Sequence, residues 1–150
     1  MDLSGLKWPL IIGLVVLVGW LGTSPGVNFM RGQYTKAVPG ADAAKDVSDE
    51  AGLSRLGGYC MRTFQYAKAI DIFEESLSRY GENGKNYWYN LYRLVRCYEK
   101  VNDYQEAYNI LKSLERNDAQ TFDARVPNRD NLALRAEKLK EVHELAGEGT

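Results

Sequence analysis

One histidine, two cysteines, four prolines and no basic run occur in these 150 residues. Each scarcity closes off a class of function. His143 stands alone, with neither an HExxH pair nor cysteines at metal-ligand spacing, so no zinc ligand set can be assembled from local motifs. Gly-x-Ser-x-Gly and the phosphate-binding Gly-rich loop are both missing. Formal net charge is −1, so bulk electrostatics do not draw the chain to nucleic acid. The carboxylate pairs Asp49–Glu50 and Glu74–Glu75 are expected on solvated helix faces, not converging on a substrate. With no nucleophile–base or metal set, we expect no enzyme, no cofactor, no small-molecule substrate and no nucleic-acid partner.

What is present is a repeat. Leu53-x2-Leu56-Gly57-x2-Cys60 is followed by Tyr66-x2-Ala69-x3-Phe73-x2-Ser76. Leu91-x2-Leu94-Val95-x2-Tyr98 is followed by Tyr104-x2-Ala107-x3-Leu111-x2-Leu114, at identical spacings. Apolar residues at i, i+3, i+4 and i+7 form one stripe of a helix, so each copy reads as two helices. Between them, Thr63 in one copy and Asn102-Asp103 in the other suit a turn and a cap. Ala69 and Ala107 stand where helices must approach closely.

These motifs resemble the tetratricopeptide repeat, W-x2-L-G-x2-Y then A-x3-F then P. The match covers Asp49 to Arg116. Leu53 and Leu91 replace the Trp, Cys60 the Tyr, Val95 the Gly, Leu111 the Phe, and Gly81 stands near the Pro position. Tyr66 and Tyr104 lie 38 residues apart, against a family period of about 34; the extra residues are expected at 81–85. The resemblance implies an all-α array of helical hairpins, an α-solenoid, whose first helices line a partner-binding groove. Helices are expected over 48–62, 66–79, 86–101 and 104–116, the first capped by Asp46 or Ser48. A polar loop, closed by Pro127, leads to a capping helix over 130–146, started by Asp130 or Asn131. Its apolar stripe is Leu132, Ala136, Leu139, Val142 and Ala146, with Arg135 among the residues of its wet faces.

Ahead of this domain, 46–150, stands an uncharged stretch from Trp8 to Gly22. Taken from Leu3, it nears the ~20 residues that span a bilayer. Trp8 and Trp20 suit the two interfaces, Lys7 can snorkel, and Pro9 fits a first helical turn. We expect a single-pass anchor over 1–22; a cleaved signal peptide and a buried soluble helix are the other readings. Gly13, Gly19 and Gly22 form no GxxxG pair. Residues 23–45 carry Pro25, Gly26, Gly32, Pro39 and Gly40 without sustained periodicity, and are expected to be a linker. Lys7 on one side and Arg31 with Lys36 on the other nearly tie for topology; the expectation is an extracytoplasmic, periplasmic domain.

The candidate site follows from the resemblance and the spacing. Tyr89, Tyr92, Arg93, Arg96 and Lys100 fall along one side of the second copy's first helix. Arg55, Met61 and Arg62 add to that wall from the first copy. Tyr and Arg dominate binding surfaces, and an acidic or C-terminal segment would suit them; the alternative is an ordinary solvated face. Cys60 and Cys97 are expected as small buried thiols, with a bridge possible in an oxidising compartment. Two functions fit: a membrane-anchored protein-interaction scaffold, or an accessory structural subunit of a larger respiratory, photosynthetic, motor or secretion complex.

Overall fold

The computed structural model describes residues 4–146, all of its regular structure helical, with no strand among them. The helices are α1 (Ser4–Leu21), α2 (Ser24–Tyr34), α3 (Ala43–Arg62), α4 (Tyr66–Tyr80), α5 (Tyr87–Lys100), α6 (Tyr104–Arg116) and α7 (Arg129–His143). Leu3, the first residue of the expected bilayer contact, and the tail 147–150 lie outside the described residues.

The turns of the two hairpins share one geometry. Phe64 and Asn102 both take positive φ, 60° and 64°. One residue on, Gln65 N–H donates to Cys60 O at 2.8 Å and Asp103 N–H to Tyr98 O at 2.9 Å. This six-to-one bond closes a Schellman helix end. Asp103 then caps α6 by accepting from Glu106 N–H. In the first copy Thr63 does not cap α4; its hydroxyl bonds back to the carbonyls of Tyr59 and Cys60.

From α1 to α7, each helix packs on the next, and α3 also touches α5. Three glycines explain how α3 serves so many neighbours. A Cβ on Gly52 would lie 2.3 Å from the Tyr34 ring of α2, one on Gly57 2.4 Å from the Phe73 ring of α4, and one on Gly58 2.7 Å from the Arg93 guanidinium of α5. Glycine in a helix costs about 1 kcal/mol relative to alanine; here each one admits an incoming side chain. Ala69 and Ala107 are wholly buried, and one apolar core runs from Val27 of α2 to Ala136 of α7.

Several expectations need correction. Residues 23–45 are not a plain tether. Val27 of α2 is buried in the core, Lys68 donates to Ser24 Oγ at 2.6 Å, Gln65 to Gly22 O at 3.2 Å and Arg79 to Ala37 O at 2.5 Å, while Arg31 pairs with Glu75. Tertiary contacts thus hold a helix whose Pro25, Gly26 and Gly32 give no periodic signal. Helix α3 starts early because Asp42, not Asp46 or Ser48, accepts from Ala44 and Lys45 N–H. Asp49 and Glu50 are buried, not solvated: Asp49 pairs with Lys45 of the extended first turns, and Glu50 accepts from Asn86.

Asn128, not Asp130 or Asn131, caps α7. The helix stops at His143 because Glu144 turns left-handed, and Leu145 N–H bonds to Lys140 O at 3.1 Å. Leu145 therefore swings back onto the core, and Val142 is left exposed. Arg135 is not solvated either: it grips Glu99 of α5 with Nη2 at 2.9 and 2.7 Å from the two carboxylate oxygens.

Pro9 lies inside α1 rather than in its first turn. The apolar side chains from Trp8 to Trp20 face outward around the helix, each at least 42% exposed among those described. Among the described residues no single helix is long and apolar enough to cross a membrane. Lys7–Trp20 and Ser24–Tyr34 reach that length and composition only as a pair, bent by 77° at the break. The helix expected over 1–22 is present as α1, and the chain turns at residues 22–23 before α2.

Candidate functional site

Between α3 and α5 lie two adjoining hollows of about 330 and 490 Å³. They share Gly58, Arg62, Tyr89 and Arg93. Met61, Arg96 and Lys100 line the first, and Arg55 lines the second. Helical spacing therefore brought seven of the eight expected residues into one groove. Tyr92 is the exception. Its hydroxyl accepts from Arg135 Nη1 at 3.2 Å, and the Arg135 guanidinium sits 5.7 Å from its ring. It faces α7 because α7 approaches that flank of α5.

Arg93 forms the floor. Its guanidinium lies 4.4 Å from the Phe73 ring centroid and 4.5 Å from that of Tyr89. Its Nη2 donates to Ser54 Oγ at 2.5 Å and also to Asn90 Oδ1. Ser54 donates to Asn90 Oδ1 at 2.9 Å, and Asn90 Nδ2 to Ser76 Oγ at 3.5 Å. This cluster ties α3, α4 and α5 together, and Asn90 and the two serines are all buried. Burial pulls the Arg93 pKa down to about 10, leaving it a cation at neutral pH, and its Nε is buried without a hydrogen-bond partner.

Arg125 comes from the loop after α6 and places its guanidinium 4.3 Å from the Tyr89 centroid. Asp123 holds it at 2.6 Å, an ion pair that keeps the carboxyl below its usual range. Arg125 also donates to Asn86 Oδ1 at 2.9 Å. Asn86 in turn gives its N–H and Nδ2 to the Glu50 carboxylate, at 2.9 and 2.8 Å. Glu50 is therefore a clip between α3 and the start of α5.

The groove is cationic throughout. No carboxylate lines either hollow. Arg55, Arg62, Lys85, Arg96 and Lys100 are exposed and make no ion pair among the described residues. Such a wall can take carboxylates through charge-assisted, bidentate bonds while the rings of Tyr89 and Tyr66 supply contact area. Sequence reasoning missed Phe64, Tyr66, Lys85 and Arg125. Tyr66 marks the start of the second helix in the repeat pattern, which says nothing of the groove, and Arg125 reaches the groove through a loop that carries no periodic signal. Phe64 is 79% exposed at the rim, and its left-handed backbone is a signal only coordinates reveal.

Cys60 and Cys97 are both buried and free. Burial pushes the Cys97 thiol up to about 12 and raises that of Cys60, so neither is a thiolate at neutral pH. No group of three or more His, Cys, Asp or Glu that could hold a metal occurs among the described residues. His143 ends α7 and stacks on Tyr104 with ring centroids 3.5 Å apart. No family model, curated protein or solved structure matches the chain.

Proposed function

We propose that this chain is a membrane-tethered protein-interaction module of tetratricopeptide-repeat type, which holds an acidic or carboxylate-terminated segment of a partner against α3 and α5. The carrying observation is the groove itself: exposed arginines and lysines without ion pairs, tyrosine rings, and no acid in the lining, in a chain of formal net charge −1. Like-charged side chains crowded on one face repel each other, and an anionic segment relieves that repulsion. The tether reading is supported by residues 8–20 of α1, uncharged on all sides with their large apolar side chains exposed; its expected location is outside the cytoplasm.

The test uses the full chain in detergent and labelled peptides, acidic, carboxylate-terminated or amidated. Fluorescence anisotropy should show binding that weakens steeply with salt. Arg62→Glu/Arg96→Glu/Lys100→Glu should abolish it. Binding that ignores both salt and these charge reversals rejects the groove.

A second reading makes the chain an accessory structural subunit of a larger membrane complex. It is favoured by Leu134 and Val142 of α7, apolar side chains that are 70% and 65% exposed. Native gels after detergent extraction separate the two: a stoichiometric partner that never dissociates supports the subunit, a dissociable complex the adaptor.

A further inference from the structure

We propose that the hollow where α1, α2 and α3 meet is a seat for one anionic phospholipid. This rests on the tether reading above; the apolar wall lies on the other flank of α3 from the groove, and Arg55 and Arg62 line both.

The hollow measures about 390 Å³, and Val18, Met30, Tyr34, Leu56 and Tyr59 make most of its wall. Its floor is built: Tyr34 can swing under α2 only because residue 52 of α3 is a glycine, where any Cβ would meet the ring at 2.3 Å. An apolar wall of this kind suits a hydrocarbon chain. The charged lining residues are Arg55 and Arg62. Seven residues apart on one helix, they stand on the same face, about 10 Å apart along its axis. Both are exposed and make no ion pair among the described residues. Two flexible guanidiniums at the mouth of an apolar hollow match a phosphate carried on an acyl chain, since arginine gives phosphate paired hydrogen bonds.

Depth supports the same occupant. Val18 lies near the C-terminal end of the uncovered apolar helix, and Trp20 next to it packs on Phe29 with centroids 6.0 Å apart. Aromatic residues gather where a bilayer gives way to water. Held there, the hollow opens at headgroup level. A bound lipid would also brace the 77° bend between α1 and α2.

The experiment reconstitutes the full chain in phosphatidylcholine nanodiscs doped with phosphatidylglycerol. The lipids that stay bound after transfer to detergent are then identified by native mass spectrometry. A single phosphatidylglycerol should be retained in preference to phosphatidylcholine. Arg55→Gln/Arg62→Gln should weaken that retention about tenfold. Met30→Trp, which fills the hollow and leaves its charge alone, should reduce retention as well. Arg129→Gln/Lys138→Gln, which removes the same charge at the far end of the fold, should change nothing. Equal retention of the two lipids, insensitivity to Met30→Trp, or an equal loss in the Arg129/Lys138 variant overturns the seat while leaving the tether standing. Failure of the chain to enter nanodiscs overturns both.

Discussion

The hairpins α3–α4 and α5–α6 close with the same turn geometry and pack different side chains. At one pair of equivalent places the first has Gly57 and Phe73, the second Val95 and Leu111, all four buried. The large ring lies where the glycine has no side chain, and two medium residues fill the same places 38 positions on. At another equivalent place the first hairpin has Gly52, which admits Tyr34, and the second has Asn90, which gathers Ser54, Ser76 and Arg93. The two copies share turn geometry and a set of identical residues, among them Leu56 with Leu94 and Ala69 with Ala107, yet fill these particular places differently. Shared cations follow the same register: Arg55 matches Arg93, and Arg62 matches Lys100.

The sharpest way to break this comparison is to convert one hairpin into the other. Gly57→Val puts a branched side chain 2.4 Å from the Phe73 ring and should cost about 3 kcal/mol, the upper range for overpacking a core. Phe73→Leu should cost about 1–2 kcal/mol by itself, through lost burial. Together they recreate the Val95–Leu111 pairing, and the double variant should recover more than half of the Gly57→Val loss. Urea unfolding of the full chain in detergent measures all three; simple additivity would show that the two sites do not share a volume.

Asn90 comes next. Asn90→Ala leaves Arg93 and Ser54 short of a buried partner and should cost about 2 kcal/mol. Adding Ser54→Ala should change little more, because the network is already open. If the two losses add in full, the cluster is a set of independent bonds rather than one device joining three helices.

Particular residues show why the fold was largely legible in the sequence and the site only partly so. Helices α3 to α6 were readable because a stripe at i, i+3, i+4 and i+7 is local information. The groove cations were readable for the same reason, since they occupy the complementary stripe. Tyr92 was misplaced because spacing puts it beside Arg96 and Tyr89 but does not say which flank α7 will cover. Arg125 and the Glu50–Asn86 clip depend on chain segments 36 and 39 residues apart meeting in space. Helix α2 was unreadable because its stability comes from Val27 and Arg31 reaching α3 and α4, not from its own composition.

The smallest expected effect separates stability from function. Phe64 and Asn102 share one left-handed turn position, and Asn tolerates that backbone where Phe strains against it. Phe64 is 79% exposed, so its replacement forfeits little burial. Phe64→Asn should therefore stabilise the fold by about 1 kcal/mol, and Asn102→Phe should destabilise it by about the same amount. A strained, exposed ring persists in a fold when something outside the fold uses it. Phe64 stands at the groove rim beside Met61 and Tyr66, where a partner's apolar side chain would rest. The same Phe64→Asn change should then weaken peptide binding while raising the melting temperature. A variant that gains stability and keeps full affinity would remove Phe64 from the contact surface; one that gains no stability would show that the turn bears no strain.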